Sequence, residues 1–286
     1  MQPLALTPRD IVLAAPDLAS PPEVYRRLTE VLEQGDWDLP QLARVVESDP
    51  GVTARLLKLV NSPYFGMPRR VSSVADAVGV LGANALRSLV LASTVMERYR
   101  GVPEELLDVR AFWRRSLRVA VTASLLAEAA PRAVERQELL LGGLLHDIGG
   151  MLLCLTVPEA VREALLEDPD VASSGALERV VLGSPRQALG EALLEHWRLP
   201  PRIVAAVAWH PQPAQAPQAA LLVALTSLAV AGAAALAEGE GPLTDPADPR
   251  WALAGVSPLP AEALAEAADS AYRSTLALFE GTAGAY

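Results

Sequence analysis

The chain has 286 residues, of which 51% are hydrophobic and only 5% aromatic, and its net charge is −10. A chain this long can bury a substantial core, as one large domain or two modest ones, and its Ala- and Leu-rich, aromatic-poor composition favours helices over a β-sandwich. Residues 1–100 balance eleven basic against eleven acidic side chains, whereas residues 101–286 hold thirteen against twenty-three, so general binding to a nucleic-acid backbone is not expected.

In chain order, residues 1–21 read as an irregular arm with one short helix. Pro22–Gln34 and Leu39–Glu47 read as helices separated by Gly35-Asp36. Asp49-Pro50 is a strong helix start, an N-cap carboxylate followed by proline at the first helical position. The helix it opens, Gly51–Val60, places Val52, Leu56, Leu59 and Val60 on one side and is stopped by Asn61-Ser62-Pro63. Ser72–Leu81 and Ala83–Tyr99 follow, split by Gly82. Gly101-Val102-Pro103 marks a boundary between an N-terminal lobe, 1–100, and a second lobe, 101–238. Helices are expected in that second lobe at 104–129, 135–155, 158–167, 173–182, 185–197, 201–209 and 217–238. Residues 239–286 read as a Gly/Pro-rich loop and a capping helix near 261–280. The fold class is all-α.

Cys154 cannot form an intramolecular disulfide, being the single cysteine, and reads as a small buried hydrophobe. That usage, with no basic-then-apolar leader at the N-terminus, suggests a cytoplasmic protein. Ala219–Ala237 is nineteen residues without a charge, but nine are alanine and no basic cluster flanks it. A buried bundle helix is expected there rather than membrane insertion.

The sharpest feature is His146-Asp147 inside the apolar run Leu139–Gly150. An unpaired imidazole or carboxylate is costly to bury, and a divalent metal is the natural partner of both. Only His146, His196 and His210 are available, however, and none precedes the doublet. A His/His-Asp/Asp site whose first ligand sits on an earlier helix cannot be assembled.

Asp49–Gly66, with Val71–Val78 and Leu81-Gly82, resembles the N-terminal signature of the HDOD family, a non-catalytic branch related to the HD-domain phosphohydrolases. Gly143–Gly149 is similar to the family's HD-containing helix, and Glu195–Pro200 with Trp209-His210 adds a weaker match. The resemblance spans roughly 22–235. It implies an N-terminal helical lobe packed on an HD-like helical lobe, acting as a bacterial signalling module. Such a module would bind a signalling protein or a small nucleotide, without a cofactor.

Measured against relatives that keep more of the ancestral site, Arg115 stands at the first ligand histidine and Arg186 at a later one. The final aspartate is missing, since no Asp occurs between 171 and 244, and Ser227 or Thr226 fills its slot. The expected degenerate pocket is therefore Arg115, His146, Asp147, Arg186, His210 and Ser227, with no metal held by the vestigial His146 and Asp147. Loss of the metal would strand Asp147 as a buried charge, and Arg115 is expected to replace the cation by a bidentate bond. Arg114 and Arg118, four apart on one helix, could contact a phosphate or form a solvated face. Asn61 and Ser62 are assigned to helix termination. Tyr64, Phe65 and Met67 form an apolar plug, packed on the second lobe or left with Asn61 as a partner surface. His196-Trp197 and Trp209-His210 are read as core or lobe-interface packing. A residual metal-dependent phosphohydrolase and a cyclic-dinucleotide or guanosine-polyphosphate sensor are the alternatives.

Overall fold

The structure is a computed structural model and describes residues 3–4, 6–14, 20–98, 102–169, 171, 176–239 and 241–280. Among the described residues, six helices build the N-terminal part: α1 (Pro8–Ala14), α2 (Glu23–Gln34), α3 (Leu39–Glu47), α4 (Pro50–Val60), α5 (Val74–Leu81) and α6 (Ala83–Arg98). Their starts are written in short polar side chains. Asp38, Asp49 and Ser73 each accept a hydrogen bond from the backbone three residues on, satisfying an amide that the helix leaves without a partner.

The second part holds α7 (Val109–Glu128), α8 (Arg136–Leu145), α9 (Ile148–Thr156), α10 (Pro158–Glu167), α11 (Leu177–Leu182), α12 (Arg186–His196) and α13 (Pro201–Trp209). The apolar α14 (Ala220–Glu238) and the short α15 (Pro249–Ala254) precede α16 (Ala261–Glu280). The fold is all-α, with no strand among the described residues and one isolated bridge between Pro242 and Pro260.

One cluster of buried side chains runs from Ile11 through Val207 and includes Tyr272, so the N-terminal helices share a core with the HD-like part. A second cluster surrounds α14 and takes in Leu139, Ala206, Trp251 and Ala268. Two apolar stretches, Arg136–Thr156 and Ala220–Glu238, are long and apolar enough to cross a membrane, but 83% and 61% of their apolar windows are buried inside the fold. Cys154 is free and buried, and burial raises its thiol pKa to about 11.

The turn after α4 decides how the two parts meet. Asn61 Nδ2 donates to the carbonyls of Leu57 (2.7 Å) and Val71 (2.8 Å), while its Oδ1 accepts from the Val71 amide at 2.8 Å. It ends the helix and pins the following loop. Ser62 does not act that way, since its buried hydroxyl has no hydrogen-bond partner among the described residues. Tyr64 and Phe65 are buried and stack edge to face at 5.1 Å. The Tyr64 hydroxyl donates to the Arg136 carbonyl at 3.1 Å, and Arg136 Nη1 donates back to the Tyr64 carbonyl at 2.6 Å. These two aromatics are thus an internal latch and not a partner surface, because both are buried in the shared core and Tyr64 is tied to the start of α8. Of the expected surface, Asn61 and Met67 line a second, shallow cleft of about 760 Å³ that Leu278 of α16 also touches. Trp197 is buried and accepts a hydrogen bond on its carbonyl from Tyr25 at 3.2 Å, whereas its neighbour His196 is exposed, correcting the packing role expected of that imidazole.

Candidate functional site

The helix expected over 135–155 is two helices. It breaks at His146-Asp147, where Asp147 has φ −117° and ψ 13°, outside the helical region. Glycines explain the approach of the surrounding helices. A side chain at Gly143 would strike the backbone of Ala120 in α7, and one at Gly149 would strike the carbonyl of Arg186 at the start of α12. With bare backbone at both points, α7 and α12 close on the break from either side. Arg115 of α7, Arg186 of α12 and His210 after α13 then converge on the doublet.

Asp147 receives two guanidinium groups. Arg115 Nη2 donates to Oδ2 at 2.7 Å, through one nitrogen and not as the bidentate fork expected from the sequence. Arg186 Nη1 donates to both Oδ1 and Oδ2 at 3.0 Å each. The same guanidinium turns its Nε to Glu178 of α11, 3.1 Å away. Burial alone would raise the Asp147 pKa, but the neighbouring imidazole and the two arginines reverse it, and the carboxyl stays below its ordinary range. For Glu178 burial prevails, and its pKa is raised despite Arg186.

The two histidines are satisfied from behind. His146 Nδ1 stands 2.7 Å from the Gly143 carbonyl and His210 Nδ1 stands 3.0 Å from the Val207 carbonyl. A carbonyl only accepts, so each Nδ1 carries the proton and each Nε2 keeps a lone pair. Burial, with repulsion from His146, pushes the His210 pKa down to about 4, and burial lowers that of His146 as well. Both rings are therefore neutral near pH 7, edge to face with centroids 5.5 Å apart.

These groups floor a cleft of about 650 Å³. Its walls add Arg118, Arg179 and an apolar strip of α14 that includes Val230, Ala233 and Ala237. Arg118 also lies over the Tyr272 ring of α16, 4.1 Å from its centroid. Five of the six expected pocket residues meet here. Ser227 does not: it lies three residues before Val230, and its Oγ accepts from Arg250 at 3.4 Å. Thr226 bonds back to the Leu222 carbonyl at 2.9 Å. The α14 side chains that line the cleft are instead Val230, Ala233, Ala234 and Ala237. Arg114 is exposed and outside the cleft, so the basic pair facing it is Arg115 and Arg118, and not Arg114 and Arg118.

Two members of the site were not anticipated, Glu178 and Arg179. The one sequence signal was their position within the apolar run Leu177–Leu182, where a carboxylate needs a partner. Among the described residues no three His, Cys, Asp or Glu side chains converge as a metal-ligand set. Both oxygens of Asp147 are occupied by guanidinium nitrogens, and the donors left over are two imidazole lone pairs, fewer than the three protein ligands of a usual catalytic zinc site. The residues present do not fit a catalytic metal.

The fold and this arrangement can be set against known proteins. A Shewanella amazonensis structure whose phosphohydrolase label is provisional is 23% identical, with 94% of this chain and 98% of that one covered and a TM-score of 0.68. An HDOD domain protein of unknown function from Geobacter sulfurreducens is also 23% identical, covering 93% of each chain at a TM-score of 0.65. A Marinobacter aquaeolei protein provisionally labelled as a signal transduction protein matches over 92% of this chain and 59% of its own, at 23% identity and a TM-score of 0.62. These likenesses show a shared fold. An uncharacterized Treponema pallidum protein is 23% identical over 203 residues, a stretch that covers 71% of this chain and 39% of the relative's own length. The HDOD domain model matches residues 18–213, which include the capped α4 signature, the latch and the His146-Asp147 break, and the chain belongs to the HDOD domain family.

Proposed function

We propose that this protein is a non-enzymatic bacterial signal-transduction module, working in the cytoplasm, whose arginine-filled HD cleft binds a small signalling ligand or a segment of a partner protein. The observation that carries the reading is the double engagement of Asp147 by Arg115 and Arg186. In a metal hydrolase this carboxylate would be a ligand and a metal-bound water the nucleophile. Here two fixed cations neutralise the carboxylate, and they supply neither an open coordination position nor a nucleophile. What remains is a charged cavity joined through a common core to the N-terminal helices. The Marinobacter aquaeolei neighbour's signalling label points the same way.

The rival reading is a residual phosphohydrolase, and the adjacent Nε2 lone pairs of His146 and His210 are its best support. Elemental analysis of the purified chain, with bis-p-nitrophenyl phosphate hydrolysis assayed in added manganese, iron or magnesium, separates the two. The expected result is substoichiometric metal and no turnover above buffer. Stoichiometric metal that is lost in His146→Ala, together with turnover, would overturn the proposal.

A further inference from the structure

The cleft has a charge that the chain around it does not. Arg115, Arg118, Arg179 and Arg186 reach it in a protein whose net charge is −10. Asp147 pairs with Arg115 and Arg186 from the floor, and Glu178 pairs with Arg186 from behind, so two carboxylates stand against four guanidiniums. The local balance is about +2, the complement of a phosphomonoester dianion at neutral pH. Among the described residues, two of the four guanidiniums are uncommitted to carboxylates: Arg118 lies on the Tyr272 ring, and Arg179 is exposed without an ion pair. Guanidinium is the side chain best shaped to grip phosphate, because its parallel N–H groups match two oxygens.

Charge alone would suit inorganic phosphate, but the cleft is larger and its remaining walls are specific. About 650 Å³ lies within the range of organic-ligand sites, roughly 300–1,000 Å³. His146 and His210, each at most 5% exposed, bring Nε2 lone pairs whose Nδ1 partners are already fixed. Neutral acceptors placed there call for hydrogen-bond donors on the ligand. The α14 strip of Val230, Ala233 and Ala237 has no polar side chain and suits the face of a ring.

Building on the proposed function, we infer that the cleft binds an organic phosphomonoester, its phosphate between Arg118 and Arg179 and a donor-bearing body against His146, His210 and α14. A nucleotide and a sugar phosphate share this chemistry, and the walls favour the nucleotide.

Isothermal titration of the full chain with AMP, GMP, glucose 6-phosphate, adenosine and inorganic phosphate tests the inference, with the nucleotide recovered afterwards and checked by chromatography. The expected result is saturable binding of AMP or GMP, at least tenfold tighter than inorganic phosphate or adenosine. That preference should fall about tenfold or more in Arg118→Met and in Arg179→Ala, the loss of one charged hydrogen-bonding group. Circular dichroism of both variants checks that they remain folded. Tighter binding of glucose 6-phosphate than of either nucleotide would keep the phosphomonoester site and assign its source to sugars. Equal affinity for inorganic phosphate and the organic phosphates, no binding of any of them, or binding unchanged in both folded variants would overturn the inference and leave the non-enzymatic reading standing. Consumption of the nucleotide would instead overturn the non-enzymatic reading itself.

Discussion

Arg186 donates one guanidinium nitrogen to both oxygens of Asp147, 3.0 Å from each. Its side chain is 20% exposed and that of Asp147 10%, whereas the side chain of Arg115 on the other side is 56% exposed. The two arginines therefore have unequal weight. Arg186→Met would leave Asp147 short of a buried partner and Glu178 without one, a loss of about 3–5 kcal/mol for a broken buried pair. Arg115→Met removes a solvent-screened contact and should cost about 1 kcal/mol or less. Urea unfolding of the two variants gives the comparison, and equal losses would refute the assignment of Arg186 as the principal counter-ion.

Stability should fall on the acid side because of His210. Its folded pKa, about 4, lies below the ordinary 6.5, so the unfolded chain binds a proton that the folded chain refuses. The folded state is unpenalised above pH 6.5, loses stability as pH drops from there toward 4, and loses no more from this group below that. The offset corresponds to about 3 kcal/mol at the low end. His210→Phe should flatten this limb of a stability–pH curve measured by urea unfolding. An unchanged slope between pH 6.5 and 4 would show that the imidazole is not desolvated as the structure has it.

Gly149 is where α9 meets α12 backbone to backbone. A methyl group there collides with the Arg186 carbonyl, which no rotamer change can relieve. Gly149→Ala should push α12 away, lengthen the Arg186–Asp147 contact and cost several kcal/mol, by the overpacking that rigid cores resist. Gly142→Ala serves as the control. Its added Cβ would meet only the Thr226 hydroxyl at 3.2 Å and the Ala206 methyl at 3.5 Å. It should change the thermal midpoint far less, and a reversal of that order would contradict the close approach.

Much of this was legible from local chemistry. The Asp49-Pro50 start, the Leu39–Glu47 helix and the helices at 201–209 and 261–280 are set by caps, prolines and apolar spacing within a few residues, and the structure reproduces them. The Arg115–Asp147 contact was legible for a different reason, since a buried carboxylate must be answered by some cation and the family resemblance put Arg115 at the first ligand's place. The break at His146-Asp147 was not, because nothing in the periodicity of the apolar run around it stops a helix; the neighbours that flank the break, α7 at Gly143 and α12 at Gly149, are distant in sequence. Ser227 was misplaced because a missing aspartate leaves no mark of its own register on an alanine-rich helix. Glu178 was missed because its partner lies eight residues on, across the turn between α11 and α12, a pairing no helical spacing encodes.

The Tyr64–Arg136 latch makes the last distinction between internal packing and a docking face. Tyr64 is 2% exposed and Phe65 5%, and the two hydrogen bonds between Tyr64 and Arg136 join the turn after α4 to the start of α8. Tyr64→Phe deletes one hydroxyl and should cost about 1 kcal/mol. Phe65→Ala empties a core position and should cost about 3–5 kcal/mol. Were these aromatics a partner surface, both variants would unfold with the wild-type urea midpoint. The structure requires instead that the midpoint drop in that order, with the larger loss in Phe65→Ala, and that the N-terminal helices and α8 unfold in a single transition because they share one core.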